Sequence, residues 1–356
     1  MKAARFHGRG DIRIDEVPEP EVGPGQVKVA VDWCGICGSD LHEYLEGPLF
    51  IPPPGSPHPL TGETLPVVMG HEFAGTIAEL GDGVSGMSVG DKVAVEPYLV
   101  CGKCPACAAG RYNICRTFGF VGLSGTQGGF SERCVVDQKW IHPLGDLGTD
   151  VGALVEPLAV GYHAARLSPM REGDTAVVFG AGPIGLVTIA SLKARGAGQV
   201  ISVEPAAARK GKAPGAGADV VLDPTEVDVT SAVRDLTGGA GADVAFECAG
   251  IDAVLAGAIA SVRPGGTVVN VAIWGHEATV QMNALVASEV AVIGSLAYCE
   301  DHSDTIALLR DKKVDAGQFI TGRIGLDDLV SGGFRELIDN KEENVKILVS
   351  PQEALL

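Results

Sequence analysis

Thr175-Ala176-Val177-Val178-Phe179-Gly180-Ala181-Gly182-Pro183-Ile184-Gly185 runs from an unbroken apolar strand straight into three glycines spaced G-x-G-x-x-G. The first glycine of such a turn permits the sharp bend, the second lets backbone approach a pyrophosphate, and the third lets helix and strand pack closely. Taken alone the pattern is weak, so its surroundings decide. A helix is expected over 184–194, then a strand at Val200-Ile201-Ser202-Val203 closed by Glu204. That carboxylate lies about 20 residues past the glycines, where an acidic group binds the ribose hydroxyls of a dinucleotide. Further apolar runs at 219–222, 243–246, 267–271 and 290–294 alternate with helix-length segments. Apolar strands separated by helices mark a doubly wound parallel sheet, here of six strands.

Upstream the pattern changes. Residues 26–31 alternate polar and apolar, 73–80 and 91–95 are further strand candidates, and Gly81 to Gly86 is a strong turn. Short strands broken by Gly and Pro suggest a small, partly open barrel. The stretch from Gly47 to Pro66 holds seven prolines and no periodicity, so it is expected to be an irregular loop, either the mouth of a pocket or a plain surface excursion. The chain is therefore α/β, a β-rich first part followed by a Rossmann-type sheet.

Two groups of residues in the β-rich part carry metal chemistry. Cys101, Cys104, Cys107 and Cys115 are spaced C-x2-C-x2-C-x7-C, and four thiolates can close a tetrahedron around zinc with no position left for water. An iron–sulfur cluster is the competing reading, but the bacterial ferredoxin pattern places its fourth cysteine three residues on and a proline after it. The second group is Cys37-Gly38-Ser39-Asp40-Leu41-His42 with Gly70-His71-Glu72. Cys37, His71 and Glu72 would make a sulfur, nitrogen and oxygen set with one position open, the mark of a catalytic zinc. The plainer alternative is a buried small cysteine and a core histidine. A redox pair at Cys34 and Cys37 fits the spacing but lacks the βαβ context such pairs have.

Composition excludes other classes. The 356 residues call for two domains, and 49 glycines with 46% hydrophobic residues suit many tight turns around a sizeable core. A net charge of −18 argues against nucleic acid or an anionic membrane surface as partner. No signal peptide and no apolar run of spanning length is read. Nine cysteines, four of them clustered, point to metal ligands in a reducing compartment, with the cytoplasm as the expected location.

The Cys-x-Ser-Asp-x-His stretch, Gly-His-Glu, the clustered cysteines, Glu156-Pro157-Leu158-Ala159 and the late glycine fingerprint together resemble the zinc-containing medium-chain alcohol and polyol dehydrogenases. The likeness covers nearly the whole chain. Within that family, Pro57 to Phe73 and His42 to Pro48 are similar to the 2,3-butanediol dehydrogenases. The resemblance implies a GroES-like catalytic domain over 1–159, a Rossmann NAD-binding domain over 160–298, and a segment over 299–356 that returns to the first domain through a helix at 327–339 and a strand at 345–349. It implies two zinc ions per subunit, NAD, and assembly as a homodimer or homotetramer. Cys37, His71 and Glu72 match catalytic zinc ligands, and Glu156 matches a carboxylate that approaches the metal. Ser39 would touch the substrate oxygen, His42 would pass its proton to solvent, and Asp40 would orient His71. Gly180, Gly182, Pro183, Ile184, Gly185, Glu204 and Arg209 would hold the nucleotide, while His58, His142 and His163 are structural or surface residues.

The implied reaction is the interconversion of a secondary alcohol or vicinal diol with a ketone, (R,R)-2,3-butanediol and acetoin foremost. An alcohol held by zinc loses its proton more readily than in water, and the hydride would pass to the nicotinamide where the two domains meet. Sorbitol-type and threonine-type dehydrogenases share the metal frame and are the alternatives within enzymes. A nucleotide sensor with the four-cysteine zinc alone is the alternative outside them.

Overall fold

The computed structural model describes residues 1–125 and 127–356. The chain forms two units: one holds 1–156, 302–310 and 316–356, the other 157–301 and 311–315. No helix among the described residues is long and apolar enough to cross a membrane.

The first unit is built on a sheet of seven strands. Its path runs Ile141–Pro143, Lys92–Val95, Glu72–Leu80, Gln26–Gly35, Lys346–Ser350 and Ile320–Gly325, with Arg133–Asp137 also paired to Gln26–Gly35. The strand foreseen at 26–31 extends to Gly35 because Trp33 and Cys34 keep an apolar face on the core. Lys346–Ser350 pairs antiparallel with the end of that strand, Leu348 opposite Gly35 and Val349 opposite Cys34. The C-terminal segment thus completes the first unit. Phe6, Phe73, Phe130, Phe334 and Ile347 share one buried cluster with Val27, Val29 and Val31.

The helix expected at 327–339 exists but is broken into a tight turn Leu326–Asp328, a wide turn Leu329–Phe334 and an α-helical end Arg335–Asp339. Gly332 and Gly333 explain the break, since glycine is a poor helix former. Close packing explains why one of them is kept: a Cβ on Gly333 would lie 2.6 Å from Ile36.

The helix Gly38–Glu46 begins at Cys37, whose backbone N–H donates to Asp40 Oδ2 at 3.0 Å. The proline-rich loop that follows is anchored by Glu43. This carboxylate is fully buried and accepts backbone N–H bonds from Leu49 (2.9 Å), Ile51 (3.1 Å) and Phe50. Glu43→Ala leaves those donors without their acceptor and is expected to cost about 2 kcal/mol, read as a lower unfolding midpoint in urea with the loop cleaved sooner by protease. An unchanged midpoint would show that water replaces the carboxylate without loss.

In the second unit all six strands are parallel, in the order Val220–Leu222, Gln199–Val203, Thr175–Phe179, Ala242–Glu247, Val262–Asn270 and Ala291–Gly294. This is the 3-2-1-4-5-6 order of dinucleotide-binding sheets. Its core is Val177, Phe179, Ile201, Val203, Ala245 and Val268 with the apolar faces of the flanking helices. His163 is a structural residue here: its Nδ1 lies 2.7 Å from the buried carboxylate of Asp301, which also accepts from Arg166 and from the backbone of Cys299.

Candidate active site and nucleotide-binding turn

Two strand starts and two helix starts build the site in the first unit. Cys37 precedes the helix Gly38–Glu46, His71 precedes the strand Glu72–Leu80, and Lys346 opens the last strand. Glu156 lies in the first turn of the helix Val155–Leu167.

His71 is buried, with Nε2 3.2 Å from Ser39 Oγ and Nδ1 3.6 Å from Asp40 Oδ1. One ring nitrogen therefore faces the helix start while the other faces a fully buried carboxylate. Burial alone would lower the pKa of His71, but Asp40, Cys37 and Glu156 together outweigh it and raise it well above the ordinary value. Burial pushes Asp40 up to about 6, against the pull of His71. So much acid around one buried imidazole is a place that a cation fits. Thiol, imidazole and carboxylate are also the donors zinc takes. Ser39 is half-buried, and His42, three residues on along the same helix, is exposed. That spacing puts the two on one helix face.

Glu72 is bonded otherwise than expected. Both its oxygens accept from Lys346 Nζ, at 2.7 and 2.6 Å, and the same ammonium donates to the carbonyl of Ile36 at 3.0 Å. Neither Cys37, His71 and Glu72 nor Cys37, His71 and Glu156 bring their ligand atoms within 4.8 Å of one another, as the four cysteines below do. Glycine at position 35 permits this crossing, because a Cβ there would lie 2.2 Å from Glu72 Oε2. Lys346 stays charged: burial opposes it, but Glu72 and the other acidic groups raise its pKa above the ordinary value. The sequence reading missed Lys346, which sits in the charged run Lys341-Glu342-Glu343-Asn344-Val345-Lys346 and reads there as a surface residue. Glu156 is buried, and its charge is felt at both His71 and Lys346.

Cys101, Cys104, Cys107 and Cys115 bring their four sulfurs within 4.8 Å of one another. Cys104 and Cys107 lie 3.6 Å apart, and Cys101 and Cys115 3.5 Å. Two sulfurs on a tetrahedral zinc with bonds of about 2.3 Å are roughly 3.8 Å apart, so the cage already has nearly the right size. Backbone N–H groups of Cys107 and Arg116 aimed at Cys104 bring its thiol down to about 6. All nine cysteines are free, and Cys34 is buried in the core, its thiol pushed up by burial.

In the second unit Gly180 takes a positive φ of 92° and Gly185 lies against its carbonyl, where a Cβ would come within 1.8 Å. Around Gly182 there is only open space, directly before the helix Pro183–Ala194. Pro183 at the first helical position gives up a donor that has no partner within the helix, and Ile184 follows it. Glu204 is buried and accepts from the backbone N–H of Ala181 (2.8 Å) and of Ala206 (2.9 Å). Its carboxylate is thereby fastened to the glycine turn. Arg209 is half-buried on the short helix Ala207–Lys210.

Residues 23–146 match the alcohol dehydrogenase GroES-like domain and residues 183–311 the zinc-binding dehydrogenase domain. The chain is 50% identical over 353 residues to an (R,R)-butanediol dehydrogenase of Neisseria gonorrhoeae, covering 99% of each. It is 46% identical to an (R,R)-butanediol dehydrogenase of Bacillus subtilis, over 99% of this chain and 100% of the relative. The crystal structure of 2R,3R-butanediol dehydrogenase from Bacillus subtilis superposes with a TM-score of 0.93 at 46% identity and 99% coverage of both chains. With a GroES-like part, a six-stranded dinucleotide-binding sheet and likeness along its full length, the chain belongs to the zinc-binding alcohol dehydrogenase family.

Proposed function

We propose that this chain interconverts (R,R)-2,3-butanediol and acetoin with NAD, using one zinc held by Cys37, His71 and Glu156 and a second held by Cys101, Cys104, Cys107 and Cys115. The observation that carries the substrate is the likeness, over 99% of this chain, to two (R,R)-butanediol dehydrogenases. When bound, zinc supplies a Lewis acid that makes the alcohol proton easier to remove. NAD supplies the hydride acceptor. The chain itself supplies the rest. Ser39 accepts the hydrogen bond of the reacting hydroxyl, and His42, exposed one turn on, hands the proton to water. Asp40 holds the Nδ1 side of His71 so that Nε2 keeps its direction. Lys346 neutralises Glu72, which leaves Glu156 as the carboxylate for the metal.

Gly180, Gly182 and Gly185 form the turn for the pyrophosphate, and Pro183 and Ile184 start the helix behind it. Glu204 then sets the nucleotide. A 2′-phosphate beside this carboxylate would meet like charge in a buried place, so NAD is preferred. Glu204→Ala is expected to raise the NADP to NAD ratio of kcat/KM by about 10- to 100-fold. Equal use of both nucleotides by the wild type, or no gain in the variant, would remove Glu204 from this role. Retention of the preference in the variant would move attention to Arg209.

Self-association is part of the same reading. The edge strand Ala291–Gly294 and the helix Met282–Ser288 leave Val286, Val292 and Met282 exposed, and an unpaired edge with apolar neighbours is a surface for a second copy. The substrate test is kcat/KM for a panel of (R,R)-, (S,S)- and meso-2,3-butanediol, sorbitol and L-threonine. The (R,R)-diol should lead. A far higher value for sorbitol or threonine would overturn the substrate while leaving the chemistry in place.

A further inference from the structure

Apart from the residues above, Glu96, His142 and His302 bring a carboxylate oxygen and two imidazole nitrogens within 4.8 Å of one another. They come from three distant points of the sequence that the first unit joins. Glu96 follows the strand Lys92–Val95, His142 lies on the strand Ile141–Pro143 paired with it, and His302 opens the helix His302–Arg310. Glu96 Oε2 is 2.9 Å from His142 Nε2 and 3.8 Å from His302 Nδ1. Two ligand atoms of a tetrahedral zinc with bonds of 2.0–2.1 Å sit roughly 3.3 Å apart, and these separations bracket that distance.

The groups around the three are placed as supports. Tyr112 donates to the other oxygen of Glu96 at 2.7 Å, and Ser303 Oγ lies 3.5 Å from Nδ1 of His142. Partners of this kind fix the orientation of a ligating carboxylate and the tautomer of a ligating histidine. The two imidazole rings are stacked, 4.9 Å between centroids and 27° between planes. Glu96 and His302 are buried, while the side chain of His142 keeps 16% of its surface exposed and provides the way in.

Charge points in the same direction. The ion-pair partners of Glu96 among the described residues are His142 and His302, not a lysine or arginine. A buried carboxylate whose neighbours are imidazoles rather than lysine or arginine is a place for the positive charge of a metal ion. Two nitrogens and one oxygen suit zinc rather than magnesium or calcium, which take oxygen ligands.

We propose that Glu96, His142 and His302 form a third metal site, binding a zinc ion that fastens the first turn of the helix His302–Arg310 to the strands Lys92–Val95 and Ile141–Pro143. This site is independent of the substrate and takes no part in the alcohol chemistry.

The test is equilibrium dialysis of the intact, zinc-loaded enzyme against Zn²⁺ alone, with elemental analysis and thermal melting. The wild type should hold one zinc per subunit more than His142→Ala. Zinc at about a hundred times its Kd should raise the wild-type Tm by on the order of 5 °C and leave that of His142→Ala unmoved. Alcohol oxidation by His142→Ala should stay within about twofold of wild type, as expected for a residue outside the reaction. Glu96→Gln should weaken the extra ion by more than about 100-fold, and it serves as the second variant should His142→Ala not fold. Cobalt in this site should give visible bands without the thiolate-to-metal charge transfer that both cysteine-containing sites would show. Equal metal content and equal zinc-induced Tm shifts in wild type, His142→Ala and Glu96→Gln would overturn the proposal. So would thiolate charge transfer from every cobalt bound.

Discussion

Cys37→Ala is expected to lower kcat/KM for the alcohol by about 10³-fold or more, because removing the thiolate removes a Lewis acid contributing several kcal/mol to the transition state. The variant should keep the zinc of Cys101, Cys104, Cys107 and Cys115, whose cage is built within residues 101–115. It should also keep its fold, since Cys37 sits half-buried at a helix start and the core of the first unit is made elsewhere. The measurement is steady-state kinetics together with zinc per subunit on the same preparation. Loss of the zinc of the four-cysteine site as well would show that these two metals are coupled. Activity close to wild type would show that Cys37 is no ligand.

The second large effect belongs to Lys346. Its side chain is 5% exposed and that of Glu72 1%, so each charge depends on the other. Removing one partner of a buried pair strands the other in a medium that solvates it poorly, at a cost of about 3–5 kcal/mol. Lys346→Ala should therefore unfold at markedly lower denaturant, and Glu72 should be freed to compete with Glu156 for the metal. Replacing both, as in Lys346→Met with Glu72→Gln, removes the stranded charge and should recover most of the stability. A double variant no more stable than Lys346→Ala would mean that packing, not charge, sets the effect.

The parallel sheet was legible in the sequence because its strands are buried on both faces and read as continuous apolar runs, and because Gly180, Gly182 and Gly185 fall between a strand and a helix, where their spacing marks the turn. The clustering of the four cysteines was legible for a similar reason: they lie close along the chain. The bonding of Glu72 was not. Gly-His-Glu shows the residue types but not the direction of the carboxylate, which depends on Gly35 making room and on Lys346 arriving from a strand 274 residues later. Glu96, His142 and His302 were hidden in the same way, since no local spacing joins positions so far apart and His142 read as a structural or surface histidine. The helix at 327–339 was found in place but not in form, because periodicity is blind to the packing of Gly333 on Ile36.

Stepwise chelation of the wild type, with zinc per subunit and (R,R)-2,3-butanediol oxidation measured at each step, tests the central claim most directly. Activity should fall in proportion to the loss of one zinc from the site of Cys37 and His71, with the fold retained, and return when zinc is restored. Full turnover of the diol after that zinc has gone would contradict it.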